Sequence, residues 1–555
     1  MNHTLVVDLQ EGFAKIIREV FLWNYSEITS LFSGKLWPIK VSKLNKHTDY
    51  LVYFFILNYL GVTLLKYFIR YIQSFNEKVY TYELHMNGKV IPNVRTSNKN
   101  GEPFELPDKE MTDMSQMLLK ATQLNTENKI EFFDHSESYS SFGIYIAKVT
   151  QIVSKYVPEK GTFMLYGQFS RETCAALIGL CSTGRKVAFS STIDTTSQFA
   201  EALKLSHSRC ILIKKNKLGK LEEALRTERD IVLRTVIMID TNIDIDSDDD
   251  SMENEDRLSD ELGLQLISLS CALDRIDIVK PVQVCPDPLA DEDAIILYRH
   301  TREIRITHRN IVTSCFSLIQ QLQLTSQDSI VLEHKSYISS ISLFLSCLYL
   351  GMTIVEAKPE RIQEKCVKYN PTLISASQES LTALSKTIPP FTILFQMKMT
   401  LKQLLFPYVH LFHLSSNILY PSPRTNFGAN LRCILSFYCQ NPLSPHTIYT
   451  LLYGLNVPVS LIYCPGQASG PATISINKHI FMKHGYMFSP FPATYFRINN
   501  HGELEISGDT VTVTEDDTER DCNGLTWYNT RMHAALGNNG CIIQRNRPYS
   551  SLYSD

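Results

Sequence analysis

Residues 294–312 read AIILYRHTREIRITHRNIV, and this stretch decides the fold. Ala294–Tyr298 is an unbroken apolar run of strand length, and from Ile311 to Leu322 apolar residues recur three and four apart, as on one face of a helix. Unbroken apolar strands are covered on both faces, the situation of parallel sheets flanked by helices. Between strand and helix stand Arg299, Arg302 and Arg305, the hydroxyl of Thr301 and no glycine, so Arg299–Ile306 reads as a short basic turn. Strand, turn and helix in succession form the repeating unit of an α/β protein.

The same alternation extends in both directions. Toward the N-terminus, Lys129–Phe133, Thr162–Tyr166, Val187–Ser190, Cys210–Ile213 and Thr235–Ile239 read as strands. Helical spacing separates or flanks them at Met111–Leu124, Ser140–Tyr156, Ser170–Leu180, Thr195–Leu205 and Leu221–Arg226. Toward the C-terminus, strands are expected at Ser329–Leu332, Met352–Glu356, Cys433–Phe437 and Val457–Tyr463, with helices at Ile341–Leu350 and Pro445–Leu455. The expected class is α/β with largely parallel sheets.

Three segments depart from this pattern. Residues 1–75 are apolar and helical in character, and 50–72 (YLVYFFILNYLGVTLLKYFIRYI) is a candidate membrane anchor. Its uncharged part, Tyr50–Leu65, falls short of the roughly 20 residues a bilayer core requires. Lys66 and Arg70 could snorkel from a longer helix; a helix packed on the globular domain is the alternative. Residues 76–110 read as strand and linker, with a turn at Asn87-Gly88 followed by a polar stretch. Residues 240–262 are acid-rich and read as a disordered, solvated loop within a domain spanning 111–550. An EF-hand would need glycine where Asp249 stands, counting from Asp244, so no metal site is expected there.

Charge is nearly balanced at −3, which provides no field to draw the chain onto nucleic acid. The Arg/His cluster at 299–309 lacks the interleaved aromatics that stack on bases, so no nucleic-acid partner is expected. Thirteen cysteines include no CxxC pair, which suits free thiols in a reducing, intracellular compartment.

Further blocks follow the opening stretch in a fixed order. They are Asn441-Pro442-Leu443-Ser444-Pro445, Tyr463-Cys464-Pro465-Gly466-Gln467, Gly502-Glu503-Leu504-Glu505-Ile506-Ser507-Gly508, Trp527 with Thr530, Asn539-Gly540, and Arg547. In order and spacing they resemble the adenylate-forming (AMP-binding, acyl-CoA synthetase-like) superfamily, over about residues 110–550. The apolar N-terminal segment is similar to that of long-chain and very-long-chain acyl-CoA synthetases. The opening Tyr-Arg-x-Thr-Arg resembles the degenerate adenylation-like domains of disco-interacting proteins.

The resemblance implies two α/β subdomains with mainly parallel sheets plus a small β-rich subdomain. It also implies that the C-terminal lid subdomain, which carries the family's catalytic lysine, is missing, since no lysine lies downstream of Lys483. The family's glycine-rich phosphate loop is replaced by Arg299–Ile306, where Thr301, Arg302 and Arg305 are the vestigial phosphate ligands. Gly466 and Gln467 stand where the family has threonine and the magnesium-binding glutamate. Arg531 and Met532 replace a glycine and the ribose-binding aspartate that follow Thr530, and Arg547 falls at the hinge arginine. His308 would lie near the active-site entrance and Tyr463 near the adenine.

The expected function is therefore a catalytically inactive, acyl-CoA synthetase-like protein that binds an acyl group, an acyl-CoA or a protein, with no cofactor. The alternative is an active ATP-dependent fatty acid–CoA ligase, which would use ATP and magnesium. Association with the endoplasmic reticulum or another endomembrane is expected from the anchor. Protein partners are open.

Overall fold

The computed structural model describes residues 81–544, except 191–193, 240–258, 283–288, 300–301, 334–336, 389–426, 439–441, 466–469, 476–486, 513–517 and a scatter of single residues and pairs. The anchor candidate at 50–72 and most of the acid-rich stretch lie outside the described residues. No helix among those described is long and apolar enough to cross a membrane.

The described residues begin with a hairpin, β1 (Tyr82–Met86) and β2 (Lys89–Thr96), then α1 (Met114–Thr122) and a second hairpin, β3 (Lys129–Phe132) and β4 (His135–Ser138). Helices and strands then alternate up to β8: α2 (Tyr139–Val153), β5 (Thr162–Tyr166), α3 (Arg171–Ser182), β6 (Lys186–Ser190), α4 (Thr196–Ser206), β7 (Cys210–Lys214), α5 (Leu218–Thr227) and β8 (Thr235–Ile239), with β9 (Gln265–Ser268) and α6 (Leu269–Asp274) after it. The middle of the chain has β10 (Asp293–Arg299), β11 (Arg302–Thr307), α7 (His308–Leu322), β12 (Ser329–Glu333), α8 (Tyr337–Leu350), β13 (Thr353–Ala357), α9 (Ile362–Tyr369), β14 (Leu373–Ser375) and α10 (Gln378–Lys386). The last part holds β15 (Cys433–Tyr438), α11 (Pro445–Leu455), β16 (Val459–Tyr463), β17 (Thr473–Ser475), β18 (Met487–Pro490), β19 (Tyr495–Ile498), β20 (Glu503–Ser507), β21 (Thr518–Arg520), β22 (Thr526–Leu536) and β23 (Ile542–Gln544).

Helix starts follow from their residues. Asp113/Gln116, Ser170/Thr173, Thr195/Gln198 and Thr307/Asn310 each form a capping box, satisfying amide donors that the first turn leaves open. The strands between them (TFMLY, VAFS, CILI, TVIMI) are buried on both faces, as their unbroken apolar composition requires.

Two sheets result. The seven-stranded one has the order β11-β10-β6-β5-β7-β8-β9 and is parallel except for β11. The larger sheet contains a parallel run β16-β15-β14-β12-β13-β3 and continues into antiparallel strands ending β23-β22-β20-β19-β2-β1. That antiparallel end is the small β-rich part. One core lies between the sheets and around α1, α2, α3, α7 and α8. Gly470 lets backbone come close to α7 and α8: a Cβ there would lie 2.8 Å from that of Ser314 and 3.3 Å from the Ser342 hydroxyl.

Two differences from the sequence reading have physical causes. The first hairpin and the residues after it, read as strand and linker, are built into the β-rich part. β2 pairs with β19, the Asn98 amide donates to the Pro492 carbonyl, and Phe104 and Leu106 pack on the core. The second concerns Arg299–Ile306, read as a turn. Most of it is β11, because Arg302–Thr307 alternates: Ile304 and Ile306 point inward, 2% and 0% exposed, while Arg305 faces out.

Candidate functional site

β10 and β11 pair antiparallel with Arg299 opposite Arg302. Only two residues, 300 and 301, are left to connect them, and Thr301 lies outside the described residues. Arg305 is turned to its own sheet edge, where its Nε donates to Glu303 at 2.9 Å and its guanidinium lies 3.8 Å from Asp293. Asp293 also accepts from Lys186 at 2.9 Å.

At the far end of β11, about 20 Å from the turn at roughly 3.4 Å per residue, the Thr307–Asn310 block has an architectural role. Thr307 caps α7, and the Asn310 side chain closes the capping box while donating to the Asp509 carbonyl at 2.7 Å. That bond ties α7 to the segment after β20, where Gly508 (φ 115°) leaves no room for a side chain: a Cβ would sit 2.4 Å from the Ala493 carbonyl oxygen. His308 is 1% exposed; its Nδ1 accepts from the Met114 amide at 3.4 Å, while Nε2 is buried with no partner among the described residues. Burial pushes its pKa down to about 4, against a smaller upward pull from Asp113 and Asp293. His308 is thus a neutral ring inside a helix contact, not a group at an open entrance.

Tyr463 ends β16 at 5% exposure and belongs to a second core cluster, with its ring 5.4 Å from that of Tyr438. Gln467 and Arg547 lie outside the described residues. Thr530, Arg531 and Met532 form a bulge: Glu505 pairs with Asn529 and Glu503 with His533, so β22 has two more residues than β20 over that span. Arg531 has φ 57°, a left-handed conformation at the position where the resemblance supplies glycine. The bulge is stitched locally. The Thr530 hydroxyl donates to the Leu504 carbonyl at 2.7 Å and accepts from the Met532 amide at 3.2 Å, and the Asn529 side chain accepts from the Arg531 amide at 2.7 Å. Met532 packs on the same cluster as Tyr463.

The structure thus divides the sequence-derived candidates. Tyr463 and Met532 share one core, whereas His308 and Arg305 sit at the other sheet. Sequence reasoning missed Asn529, whose role in the bulge has no local signal, and Asp113, which caps the helix that His308 abuts.

These residues do not fit ATP and magnesium. Two connecting residues cannot supply the row of backbone donors that wraps a triphosphate. The Tyr463 ring is packed, the Thr530 hydroxyl is engaged, and a thioether stands in for a carboxylate. Among the described residues no His, Cys, Asp and Glu cluster is suited to a metal ion. A cleft of about 1160 Å³ opens instead at the amino ends of β14, β15 and β16, beneath the last turn of α7. Arg432 on its wall is held by Asp328 and by the carbonyls of Leu322 and Gln323.

No protein-family profile matches the chain, and no curated protein matches it in sequence. Solved structures do match. The N-terminal domain of FACL13 from Mycobacterium tuberculosis aligns with a TM-score of 0.59 at 12% identity, over 79% of this chain and 100% of that one. A long-chain-fatty-acid-CoA ligase (FadD1) from Archaeoglobus fulgidus aligns with a TM-score of 0.59 at 14% identity, over 81% and 87%. The luciferase-like enzyme of the nonluminescent mealworm Zophobas morio aligns with a TM-score of 0.58 at 14% identity, over 80% and 97%.

Proposed function

We propose that this chain, whose fold is that of the N-terminal domain of adenylate-forming enzymes, lacks those enzymes' ATP chemistry and acts by binding an acyl group or an acyl-CoA in lipid metabolism, at an endomembrane reached through residues 50–72. The observation that carries this reading is the pairing of Arg299 with Arg302, which reduces the phosphate loop to a two-residue connection. Preorganised contacts of the kind lost here are each worth about 3 kcal/mol of transition-state stabilisation in active enzymes.

A second reading, an ATP-dependent fatty acid–CoA ligase, draws support from the Thr530–Met532 bulge, whose backbone keeps a glycine-like turn at Arg531. Calorimetric titration of the full chain separates the two. Saturable heat with oleoyl-CoA below its micelle concentration, and none with Mg-ATP, is the expected result. Micromolar Mg-ATP binding would overturn the proposal and direct attention to acyl-AMP formation.

A further inference from the structure

In open α/β sheets ligands ordinarily bind outside the carboxyl ends of the strands. The cleft of about 1160 Å³ is at the other end, where β14, β15 and β16 begin, so it is a different place from the one the fold usually provides. Its volume is ample for a small molecule, whose sites span roughly 300–1,000 Å³.

The cleft opens onto the main core. Among the described residues its walls include Phe104, Leu322, Leu373, Cys433 and Ile474, all of which belong to or pack against the cluster between the sheets. Such a floor suits an apolar chain. The polar part of the lining is rich in amides and hydroxyls. The side-chain amides of Gln320, Gln321 and Gln323, at the end of α7, make no hydrogen bond among the described residues. Ser97 adds a buried hydroxyl that likewise has no partner among them.

Charge on the lining cancels. Arg432 is occupied by Asp328 and by two carbonyls, and Glu105 lies 3.5 Å from Lys109. The other two charged residues, Lys99 and Glu102, are exposed and opposite in sign. Burying a carboxylate or a phosphate with no free cation to meet it is expensive, whereas hydroxyls and esters are served by the glutamines.

We propose that this cleft binds a neutral single-chain lipid, with the chain on the Phe104–Ile474 floor and an uncharged, hydrogen-bonding head against Gln320, Gln321 and Gln323. The inference rests on the acyl reading above and refines it, by giving the acyl group a place and its head group a charge of zero.

Cys433 supplies the readout. It is half-buried on the cleft wall, its Sγ 3.4 Å from the Ser460 hydroxyl. Cys271 on α6 is an exposed thiol outside the cleft and serves as the internal reference. The full chain is labelled with N-ethylmaleimide and mapped by mass spectrometry, with monooleoylglycerol, oleate or oleoyl-CoA present below their aggregation concentrations. Expected is saturable slowing of Cys433 labelling by monooleoylglycerol, with Cys271 unchanged and with weaker protection by the two charged ligands. Q320A/Q323A, which alters exposed side chains only, should raise the concentration needed for half-protection about tenfold, the scale of two ordinary hydrogen bonds. Protection by oleate or oleoyl-CoA that equals or exceeds that by monooleoylglycerol overturns the neutral head, and protection indifferent to the glutamine pair overturns their role. Heat with oleoyl-CoA in the titration above while no ligand protects Cys433 overturns this site and leaves the acyl reading standing; silence in both overturns the two together.

Discussion

The β10–β11 connection and the β22 bulge stand at two positions where the resemblance to adenylate-forming enzymes implies ATP contacts, and they depart from that pattern in opposite ways. At β10–β11 there is almost no loop: the strands run together until Arg299 faces Arg302. At β22 the residues differ from the pattern that the resemblance implies, yet Arg531 holds a glycine-like φ of 57° inside a bulge stitched by Asn529 and Thr530. The difference shows where backbone shape is stored. A short connection takes its shape from its own residues, whereas a bulge bonded to the neighbouring strand keeps a left-handed turn even with arginine in it.

The comparison can be broken at the collapsed hairpin first. Ile306→Ala, at a fully buried position of β11, should cost about 4 kcal/mol in urea unfolding, within the range for buried isoleucine truncation. A cost under 1 kcal/mol would mean the hairpin is an ornament and the loop could reopen. Acid tests the other end of β11. His308 has a folded pKa of about 4 against an ordinary value near 6.5, so the unfolded chain takes up the proton first. Its neutral form contributes nothing adverse above pH 6.5, and stability is lost as pH falls from there through 4, by about 3 kcal/mol. His308→Asn should flatten the pH profile of Tm over that window, and an unchanged profile would show the ring is not buried neutral.

The bulge should respond less. Thr530→Val removes both hydrogen bonds of the hydroxyl and should cost about 1–2 kcal/mol by thermal unfolding. Arg531→Gly should stabilise, by about 0.5 kcal/mol, because relief of the left-handed conformation outweighs glycine's greater freedom when unfolded. A lower Tm for that variant would mean the arginine side chain, and not the stitched backbone, holds the bulge.

Much of the parallel framework was legible because each buried strand is an unbroken apolar run bounded by a cap. β11 was not, although its Ile304/Ile306 alternation was there to be read, because the resemblance supplies a loop at that place. The bulge had only one local sign, the glycine position taken by Arg531; its bonds reach to β20, over twenty residues away. Tyr463 shows the limit of motif reading. Its place in the order of blocks is right, yet its ring faces the core.

The β1–β2 hairpin also has a place in time. The Thr81 hydroxyl donates to the carbonyl of Gly540, 459 residues further on, and β2 needs β19 as its neighbour. At roughly 5–20 residues per second, a ribosome takes about half a minute to a minute and a half to deliver those partners. Over that interval β1 and β2 have an uncovered edge, which gives a chaperone something to guard in the newborn protein.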